Sequence, residues 1–277
     1  MLINERHTEF SLLPDSAPIQ RNDTLLVFRE GEVLLRVETN ENRLPEWEAL
    51  QGAFADIQPR HAFSQGKNRY FIAVAEADAP APAGYIWEAV RVFRVLQPEL
   101  DGALLSAAWH LHNWYAAHRF CGVCGGAARP HHSERALTCA QCGHTVYPAI
   151  LPAVIVAVVN GDRLLLARNA QGAFRRFSLL AGFVEIGETA EQTVAREVLE
   201  ESGLHVKNIR YIKSQPWGFP QSLMLGFTAE LDGSAQVHIQ ESALAEARWF
   251  TREEIPHNDS TASIAFDLME RFRQGRL

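Results

Sequence analysis

The chain has 277 residues, of which 47% are hydrophobic and 21% are charged, a balance typical of soluble globular proteins. Its formal net charge of −7 argues against a broad cationic surface that coats nucleic acid, although recognition of one nucleotide at a strand end stays open. The length suggests two domains, with a small module between them.

The first twenty residues contain no basic segment followed by an apolar one, so no secretory signal is expected. The longest apolar run, AILPAVIVAVV at 149–159, has 11 residues and includes Pro152. It is too short to span a bilayer and is better explained as a buried strand. We therefore expect a cytoplasmic protein with reduced thiols and no membrane partner.

Residues 1–102 are predicted to form a strand-rich α+β domain, because short apolar runs alternate there with turn residues. The run TLLVFREGEVLLRV predicts a hairpin that turns at Glu30 and Gly31, and ADAPAPAG at 77–84 predicts a loop. This domain shows no chemical motif in its sequence, which favours a role as a scaffold or in dimerisation.

Residues 103–148 are predicted to combine a connecting helix with a metal-binding ribbon. The first part, 103–118, is rich in helix formers, and its apolar positions recur at helical spacing. These positions are Leu104, Ala107, Ala108, Leu111 and Tyr115.

The four cysteines lie within 22 residues as two CxxC knuckles, Cys121 with Cys124 and Cys139 with Cys142. Two such knuckles supply four thiolates to a tetrahedral Zn²⁺ site without an open position, so the predicted zinc is structural. Redox-active disulfides are the alternative. Basic side chains and histidines surround the knuckles and allow nucleic-acid binding, although the acidic total charge favours a bracing role. They are Arg119, Arg129, His131, His132 and Arg135.

Residues 149–277 are predicted to form a mixed α/β domain. A strand at 153–159, a turn at Asn160 and Gly161 and a second strand at 163–168 indicate a hairpin. Helices are predicted at about 190–202 and about 261–274.

The first of these helices carries three glutamates, Glu197, Glu200 and Glu201, at spacings that place them together on the helix surface. Such like-charged neighbours repel, and Arg196 relieves only part of this through Glu200. Carboxylate patches of this kind suit Mg²⁺ or Mn²⁺ bridging to phosphate, whereas the alternative is a solvated acidic helix face. Val194, Val198 and Leu199 are predicted to face the core.

Residues at both ends of the predicted helix indicate where it begins and ends. Gly182 and Gly187 precede it in a loop that permits close approach of a ligand. Thr189 and Gln192 fit a capping box, which places the helix start near residue 190, and Gly203 fits a C-cap.

The segment AGFVEIGETAEQTVAREVLEESGL at 181–204 resembles the Nudix box, G-x5-E-x7-R-E-U-x-E-E-x-G-U, at every specified position. The matching residues are Gly182, Glu188, Arg196, Glu197, Val198, Glu200, Glu201, Gly203 and Leu204. The resemblance implies an α/β/α sandwich that hydrolyses a nucleoside diphosphate linked to another group. It also implies catalytic and metal-binding roles for Glu197, Glu200 and Glu201, a metal-binding carbonyl at Ala181, and water activation by Glu201.

A second segment, SQPWGFPQS at 214–222, predicts a rigid aromatic-walled loop that suits a dinucleotide, in which Gln215 and Ser222 offer hydrogen bonds to a sugar or base. It resembles the SQPWPFPxS signature of NADH pyrophosphatases, a family in which a four-cysteine zinc ribbon precedes the Nudix domain. Gly218 stands where that family usually has proline. The implied substrate contacts are Ser214, Gln215, Pro216, Trp217, Gly218, Phe219, Pro220, Gln221 and Ser222.

The same resemblance implies further site residues and one departure. Tyr147, Phe183 and Ala265 match substrate-contacting positions, and Arg91 matches an arginine of the N-terminal domain that reaches the site of the partner subunit in a homodimer. The family usually carries a metal-binding glutamate at the position of Ala243. Glu241 or Glu246 is the candidate to compensate for it.

Together these features predict a Mg²⁺- or Mn²⁺-dependent hydrolase that splits NADH or NAD⁺ into AMP and nicotinamide mononucleotide. The same chemistry would remove a 5′ NAD cap from RNA, because the scissile bond is identical. One alternative is a Nudix pyrophosphatase for an ADP-sugar or a diadenosine polyphosphate. The other is a non-enzymatic zinc-ribbon protein that binds RNA, although the intact box disfavours it.

Overall fold

The computed structural model describes residues 10–38, 42–54, 56–96, 99–170, 176–240, 242–256 and 263–277. The chain divides into two compact units, one spanning residues 2–149 and the other residues 150–277. No helix within the described ranges is long and apolar enough to cross a membrane.

The first unit is built on a mixed sheet whose described strands follow the order β1-β5-β6-β2-β3-β4, with β7 paired to β3. The strands are β1 (Phe10–Ser11), β2 (Thr24–Arg29), β3 (Glu32–Val37), β4 (Asn42–Arg43), β5 (Arg60–Gln65), β6 (Asn68–Val74) and β7 (Tyr85–Ala89). A short helix α1 (Trp47–Leu50) and a 3-10 helix (Val90–Arg94) connect them. The predicted hairpin at Glu30 and Gly31 is confirmed, because β2 and β3 pair across these two residues, which both have positive φ.

The predicted connecting helix is α2, which spans Glu99–Ala117 and therefore begins four residues earlier than the sequence pattern indicated. Glu99 and Asp101 lie in its first turn, where carboxylates favour the positive end of the helix dipole. Its buried face packs on the sheet, since the Trp109 ring lies 5.3 Å from that of Phe28. Trp114, rather than the predicted Tyr115, is fully buried at the end of this face.

The ribbon follows α2 as a small antiparallel sheet of β8 (Ala128–Pro130), β9 (Leu137–Cys139) and β10 (Thr145–Val146). Arg135, on the turn between β8 and β9, ties this ribbon to the rest of the first unit. Its guanidinium donates to the carbonyl oxygens of His61 at 2.8 Å and Ala62 at 2.7 Å. It also donates to the Tyr115 hydroxyl at 3.0 Å. Arg135 therefore braces the ribbon and is committed to protein carbonyls.

The sulfur atoms of Cys121, Cys124, Cys139 and Cys142 all lie within 4.8 Å of one another, and all four cysteines are free. Cys121 Sγ lies 3.7 Å from Cys142 Sγ, and Cys124 Sγ lies 3.5 Å from Cys139 Sγ. Four thiolates around one Zn²⁺, each bonded at about 2.3 Å, would be separated by about 3.8 Å. The separations also exceed the roughly 2.0 Å of a disulfide, so the cluster fits a structural zinc ion.

Backbone amides of the knuckles stabilise the thiolate forms. The amide of Val123 donates to Cys121 Sγ, and the amides of Gln141 and Cys142 donate to Cys139 Sγ. These bonds lower the pKa of Cys121 and bring the pKa of Cys139 to about 6.

The second unit is an α/β/α sandwich whose described strands follow the order β14-β15-β11-β12-β16, with β13 paired to β11. Its strands are β11 (Leu151–Asn160), β12 (Arg163–Asn169), β13 (Leu180–Phe183), β14 (His205–Trp217), β15 (Ser222–Asp232) and β16 (Leu244–Thr251). Its helices are α3 (Ala190–Ser202) and α4 (Ile264–Arg273).

The period-2 alternation of β11 explains the two layers of helix. Val154, Val156 and Val158 point into the core that contains α3, whereas Ile155 and Ala157 point into the core that contains α4. A strand buried on both faces reads as a continuous apolar run, which is how this segment appears in the sequence.

Two sequence predictions for this unit need correction. Leu199 does not face the core: its side chain is 43% exposed, while Val194 and Val198 are fully buried. The SQPWGFPQS segment is the tip of a hairpin rather than a loop, because Trp217 at the end of β14 pairs with Ser222 at the start of β15. Cross-strand pairing continues through Pro216 and Trp217, whereas Phe219 and Pro220 lie in the tight turn at 218–221.

The thiolate cluster leads to a test of the zinc site. Purified protein is expected to contain one zinc per chain, and Cys142→Ser is expected to lose most of it and to unfold more readily, since the metal contributes directly to folding. Atomic absorption and thermal unfolding measure both effects. His144→Ala is the control, because His144 adjoins the knuckle but is not among the four clustered ligands. A Cys142→Ser protein with full zinc content would contradict this assignment.

Candidate active site

The candidate active site is a strand, loop and helix formed by β13, residues 184–189 and α3. The predicted capping box is present: Thr189 Oγ1 accepts from the Gln192 amide at 3.2 Å, and Gln192 Oε1 accepts from the Thr189 amide at 2.8 Å. Gly203 ends the helix with a φ of 69°, as expected for a glycine C-cap. Both ends of α3 are thus determined by local sequence.

Gly182 in β13 brings the strand backbone against a carboxylate of the helix. A Cβ atom at this position would lie 2.0 Å from Cδ and Oε1 of Glu197. Only glycine therefore permits the observed packing of Glu197 on β13.

Arg196 connects the helix, the loop and the strand. Its guanidinium forms a bidentate pair with Glu188, with Nε to Oε1 at 2.7 Å and Nη2 to Oε2 at 3.1 Å. Its Nη1 lies 2.8 Å from Glu197 Oε1 and 3.2 Å from Glu200 Oε2, and its Nη2 donates to the Phe183 carbonyl at 2.9 Å. One cation thus holds three carboxylates and the end of β13 in fixed positions.

Glu188 is fixed by more than its arginine. The Thr193 hydroxyl donates to Glu188 Oε2 at 2.9 Å, and the Glu185 amide donates to the same oxygen at 3.1 Å. The hydrogen bonds from Arg196 are the largest cause that lowers the pKa of Glu188 to about 2, so this carboxylate stays charged. The sequence motif contains Glu188, but its pairing with Arg196 eight residues away was not predicted.

Glu201 differs from the other two glutamates of the helix, because Arg196 does not hold it. Burial and the nearby charges of Glu197 and Glu200 raise the pKa of Glu201 to about 7. Its side chain lines a cleft of about 450 Å³, a volume within the usual range for small-molecule sites. A carboxyl group with this pKa exchanges protons near neutral pH, which suits general acid–base chemistry.

The cleft is lined by two of the predicted metal-binding residues and by Ala243, which replaces the glutamate usual in the family. Ala181 and Ala243 line it together with Glu201, so the methyl group of Ala243 stands where a carboxylate was expected. Glu246 is turned to an ion pair with Arg168 at 2.9 Å and does not line the cleft. Glu241, the other candidate to compensate, lies outside the described residues.

The donor atoms fit a hard divalent cation, because the glutamates of α3 and the backbone at Ala181 offer the oxygen ligands that such ions prefer. In the described residues the oxygens of Glu197, Glu200 and Glu201 do not all converge within 4.8 Å; only the four cysteines form such a cluster. Glu197 and Glu200 are instead paired with Arg196.

The sheet register places the predicted nucleotide-binding residues at one edge. Ala153 of β11 pairs with Phe183 on one side and with Met224 of β15 on the other. Met224 pairs in turn with Gln215 of β14. Adjacent strands are about 4.8 Å apart, so Phe183 and this part of the SQPWGFPQS hairpin lie about 14 Å from each other across the sheet. Phe183 is 46% exposed and thus offers a ring for stacking.

The predicted contacts within the hairpin differ in accessibility. Gln215, Gly218 and Ser222 are buried, and the Ser222 hydroxyl has no hydrogen-bond partner among the described residues. Other members are exposed or partly exposed: Ser214, Pro216, Trp217, Phe219, Pro220 and Gln221.

The remaining predicted contacts belong neither to β13 nor to the SQPWGFPQS hairpin. Ala265 is buried in the core under α4. In the first unit, Tyr147 is exposed and its hydroxyl donates to Glu134 at 3.0 Å. Arg91 is exposed on the 3-10 helix.

The close approach at Gly182 predicts a destabilised and inactive Gly182→Ala protein. The added methyl must displace the Glu197 carboxylate and disturb its pair with Arg196, at a cost of about 1 kcal/mol in the free energy of unfolding. Urea denaturation measures this cost. In a Glu197→Ala background the same change should cost much less, because the colliding carboxylate is gone; equal costs in both backgrounds would refute the contact.

The raised pKa of Glu201 predicts how the stability of the metal-free protein depends on pH. A carboxyl whose pKa is higher in the folded state favours folding fully below about pH 4.5, and that contribution disappears as the pH rises through 7. Glu201→Gln lacks this loss. Its stability relative to the native protein should therefore rise by about 1–2 kcal/mol between pH 5 and pH 8 in EDTA. Urea denaturation at both pH values tests this, with the exposed Glu191→Gln as control; a constant difference would contradict it.

Comparisons with known proteins match two parts of the chain. Residues 150–272 match the NUDIX domain family, and residues 116–147 match the NADH pyrophosphatase zinc ribbon domain. A NUDIX hydrolase of known structure from Nitrosomonas europaea is 27% identical, with a TM-score of 0.50, and covers 57% of this chain and 92% of its own.

The chain also resembles two proteins that are named for their activity. The NAD-capped RNA hydrolase NudC of Enterobacter sp. (strain 638) is 45% identical over 175 residues, which are 62% of this chain and 67% of that protein. The NAD-capped RNA hydrolase NudC of Salmonella heidelberg (strain SL476) is 46% identical over 160 residues, which are 58% of this chain and 62% of that protein. The chain therefore belongs to the Nudix hydrolases, in the family of the NAD-capped RNA hydrolases.

Proposed function

We propose that the protein hydrolyses the pyrophosphate of NADH or NAD⁺ to AMP and nicotinamide mononucleotide, and that it removes the 5′ NAD cap from RNA. The observation that carries this proposal is the arrangement around Glu201. The Glu201 carboxyl lines a cleft beside Ala181, next to a loop that Arg196 and Glu188 hold in place.

The hydrolysis uses this carboxyl as the base. Glu201 accepts a proton from water as the water oxygen bonds to one phosphorus, and the bridging phosphoanhydride bond breaks so that the two mononucleotides separate. A bound Mg²⁺ or Mn²⁺, held by Glu197, Glu200, Glu201 and the backbone of Ala181, would neutralise charge on the phosphate oxygens. Arg196 keeps Glu197 and Glu200 oriented, and Gly182 lets Glu197 lie against the strand.

The dinucleotide preference is supported by the edge of the sheet. Phe183 offers an exposed ring, and β14 of the SQPWGFPQS hairpin, which carries Trp217, lies about 14 Å away across β11 and β15. Two aromatic surfaces at this spacing suit a substrate with a base at each end of a diphosphate. The named activity of the two relatives supports the capped RNA end as a substrate of the same site.

The wider properties of the protein are proposed on the same family likeness. We place the enzyme in the cytoplasm as a homodimer, with Arg91 and Tyr147 contributing to substrate binding. The four-thiolate zinc supports the fold and takes no part in the hydrolysis.

The reaction is tested by incubating the protein with NADH and Mg²⁺ or Mn²⁺ and separating the nucleotides by chromatography. AMP and nicotinamide mononucleotide are expected. Glu201→Gln should lower kcat by about 100-fold or more, because the proton acceptor is lost. Glu191→Gln, on an exposed position of the same helix, should retain full activity.

Two outcomes would change this assignment, and one further experiment ranks the substrates. Turnover of an ADP-sugar or a diadenosine polyphosphate without turnover of NADH would replace the substrate assignment. Full activity of Glu201→Gln would remove Glu201 from the mechanism and leave the fold intact. A comparison of NADH with NAD-capped RNA at equal concentration ranks the two proposed substrates.

A further inference from the structure

The cleft beside Glu201 contains a cation that the sequence motifs did not identify. Arg176, just before β13, lines this cleft together with Ala181 and Glu201. Its side chain is exposed, and within the described ranges no ion pair or hydrogen bond of its guanidinium is found.

Several other arginines of this unit are paired with nearby carboxylates. Arg168 lies 2.9 Å from Glu246, and Arg271 lies 3.0 Å from Asp267. Arg196 is held by three glutamates. Among the described residues the guanidinium of Arg176 has no carboxylate partner, so its positive charge is available to a ligand in the cleft.

Among the described residues of the cleft wall that contains Ala243, none carries a carboxylate. The backbone of Ala243 is fixed, because its amide donates to the Gln240 carbonyl at 2.9 Å and its carbonyl accepts from the Ala170 amide at 2.9 Å. Its side chain contributes one methyl group. Among the described lining residues, Glu201 and Arg176 are therefore the only ionisable side chains.

We propose that Arg176 binds the diphosphate of the substrate and that this contact requires an uncharged residue at 243. The inference rests on the proposed function, since it assumes that the scissile diphosphate enters the cleft beside Glu201. A guanidinium presents parallel N–H donors that match two phosphate oxygens, and an arginine with no carboxylate partner binds phosphate without first breaking an ion pair. Arg176 then provides positive charge within the cleft.

Binding of ADP in EDTA tests the contact without metal or turnover. ADP carries a diphosphate but no nicotinamide, and isothermal titration calorimetry measures its affinity. Arg176→Ala is expected to bind ADP about tenfold more weakly, and Arg176→Lys to fall between the two, because lysine keeps the charge and loses the fork. Arg163→Ala is the matched control, since Arg163 is also exposed but lies at the opposite end of β12 from the cleft. Equal affinities of Arg176→Ala and the native protein would overturn the proposal.

Position 243 provides an independent test. Ala243→Glu should weaken ADP binding in EDTA about as much as Arg176→Ala, because the new carboxylate pairs with Arg176 and repels phosphate. Ala243→Gln has nearly the same size and no charge, and should keep most of the affinity. If both variants weaken binding equally, crowding rather than charge is responsible and the proposed requirement at 243 is wrong.

The kinetic counterpart separates this inference from the proposed function. Arg176→Ala should lower kcat/KM for NADH at least tenfold, with Arg163→Ala unchanged. If the native protein does not cleave NADH while ADP binding still depends on Arg176, the substrate proposal fails and the phosphate contact stands. If NADH is cleaved and Arg176→Ala changes neither ADP affinity nor kcat/KM, the contact fails alone.

Discussion

The bidentate pair between Arg196 and Glu188 holds the strand, loop and helix of the active site in one arrangement. Stacked glutamates on one face of a helix repel by roughly 0.2–0.5 kcal/mol per pair, which would weaken α3 by itself. Arg196 offsets this repulsion by contacting Glu197 and Glu200, and it anchors the end of β13 through the Phe183 carbonyl. The loop is therefore ordered by the protein's own charges.

The same interaction divides the three glutamates of α3 into two kinds. Glu197 and Glu200 share the guanidinium and remain paired, whereas Glu201 is left partly buried beside their negative charges. A cluster that looks uniform in the sequence is thus electrostatically uneven in the fold. Glu201, which Arg196 does not pair with, is the glutamate that lines the cleft, where a proton acceptor is useful.

Features determined by neighbouring residues were predictable from the sequence. The capping box of Thr189, the C-cap at Gly203 and the hairpin at Glu30 and Gly31 depend on local backbone geometry, and all three are confirmed. Exposure of Leu199 was not predictable, because it depends on what packs over the helix from distant segments.

Long-range partners account for the other gaps between sequence and structure. The partner of Arg135 could not be read from the ribbon sequence, since the accepting carbonyls of His61 and Ala62 are more than seventy residues away. A basic residue beside zinc knuckles is compatible with nucleic-acid binding, yet this one is committed to the bracing contact. Arg176 was missed for a similar reason, because only the folded chain places it in the cleft with Glu201.

The arrangement of charges also determines how a cation must enter the site. Glu197 already lies 2.8 Å from Arg196, so a cation that takes this oxygen must replace a favourable contact. Glu201 has no such contact and is destabilised by its carboxylate neighbours, so a cation there relieves repulsion as well as binding an oxygen. The gain is therefore largest on the Glu201 side of the helix, next to Ala181. On this account the cleft attracts the cation, and Arg196 keeps the remaining carboxylates in order while the cation is absent.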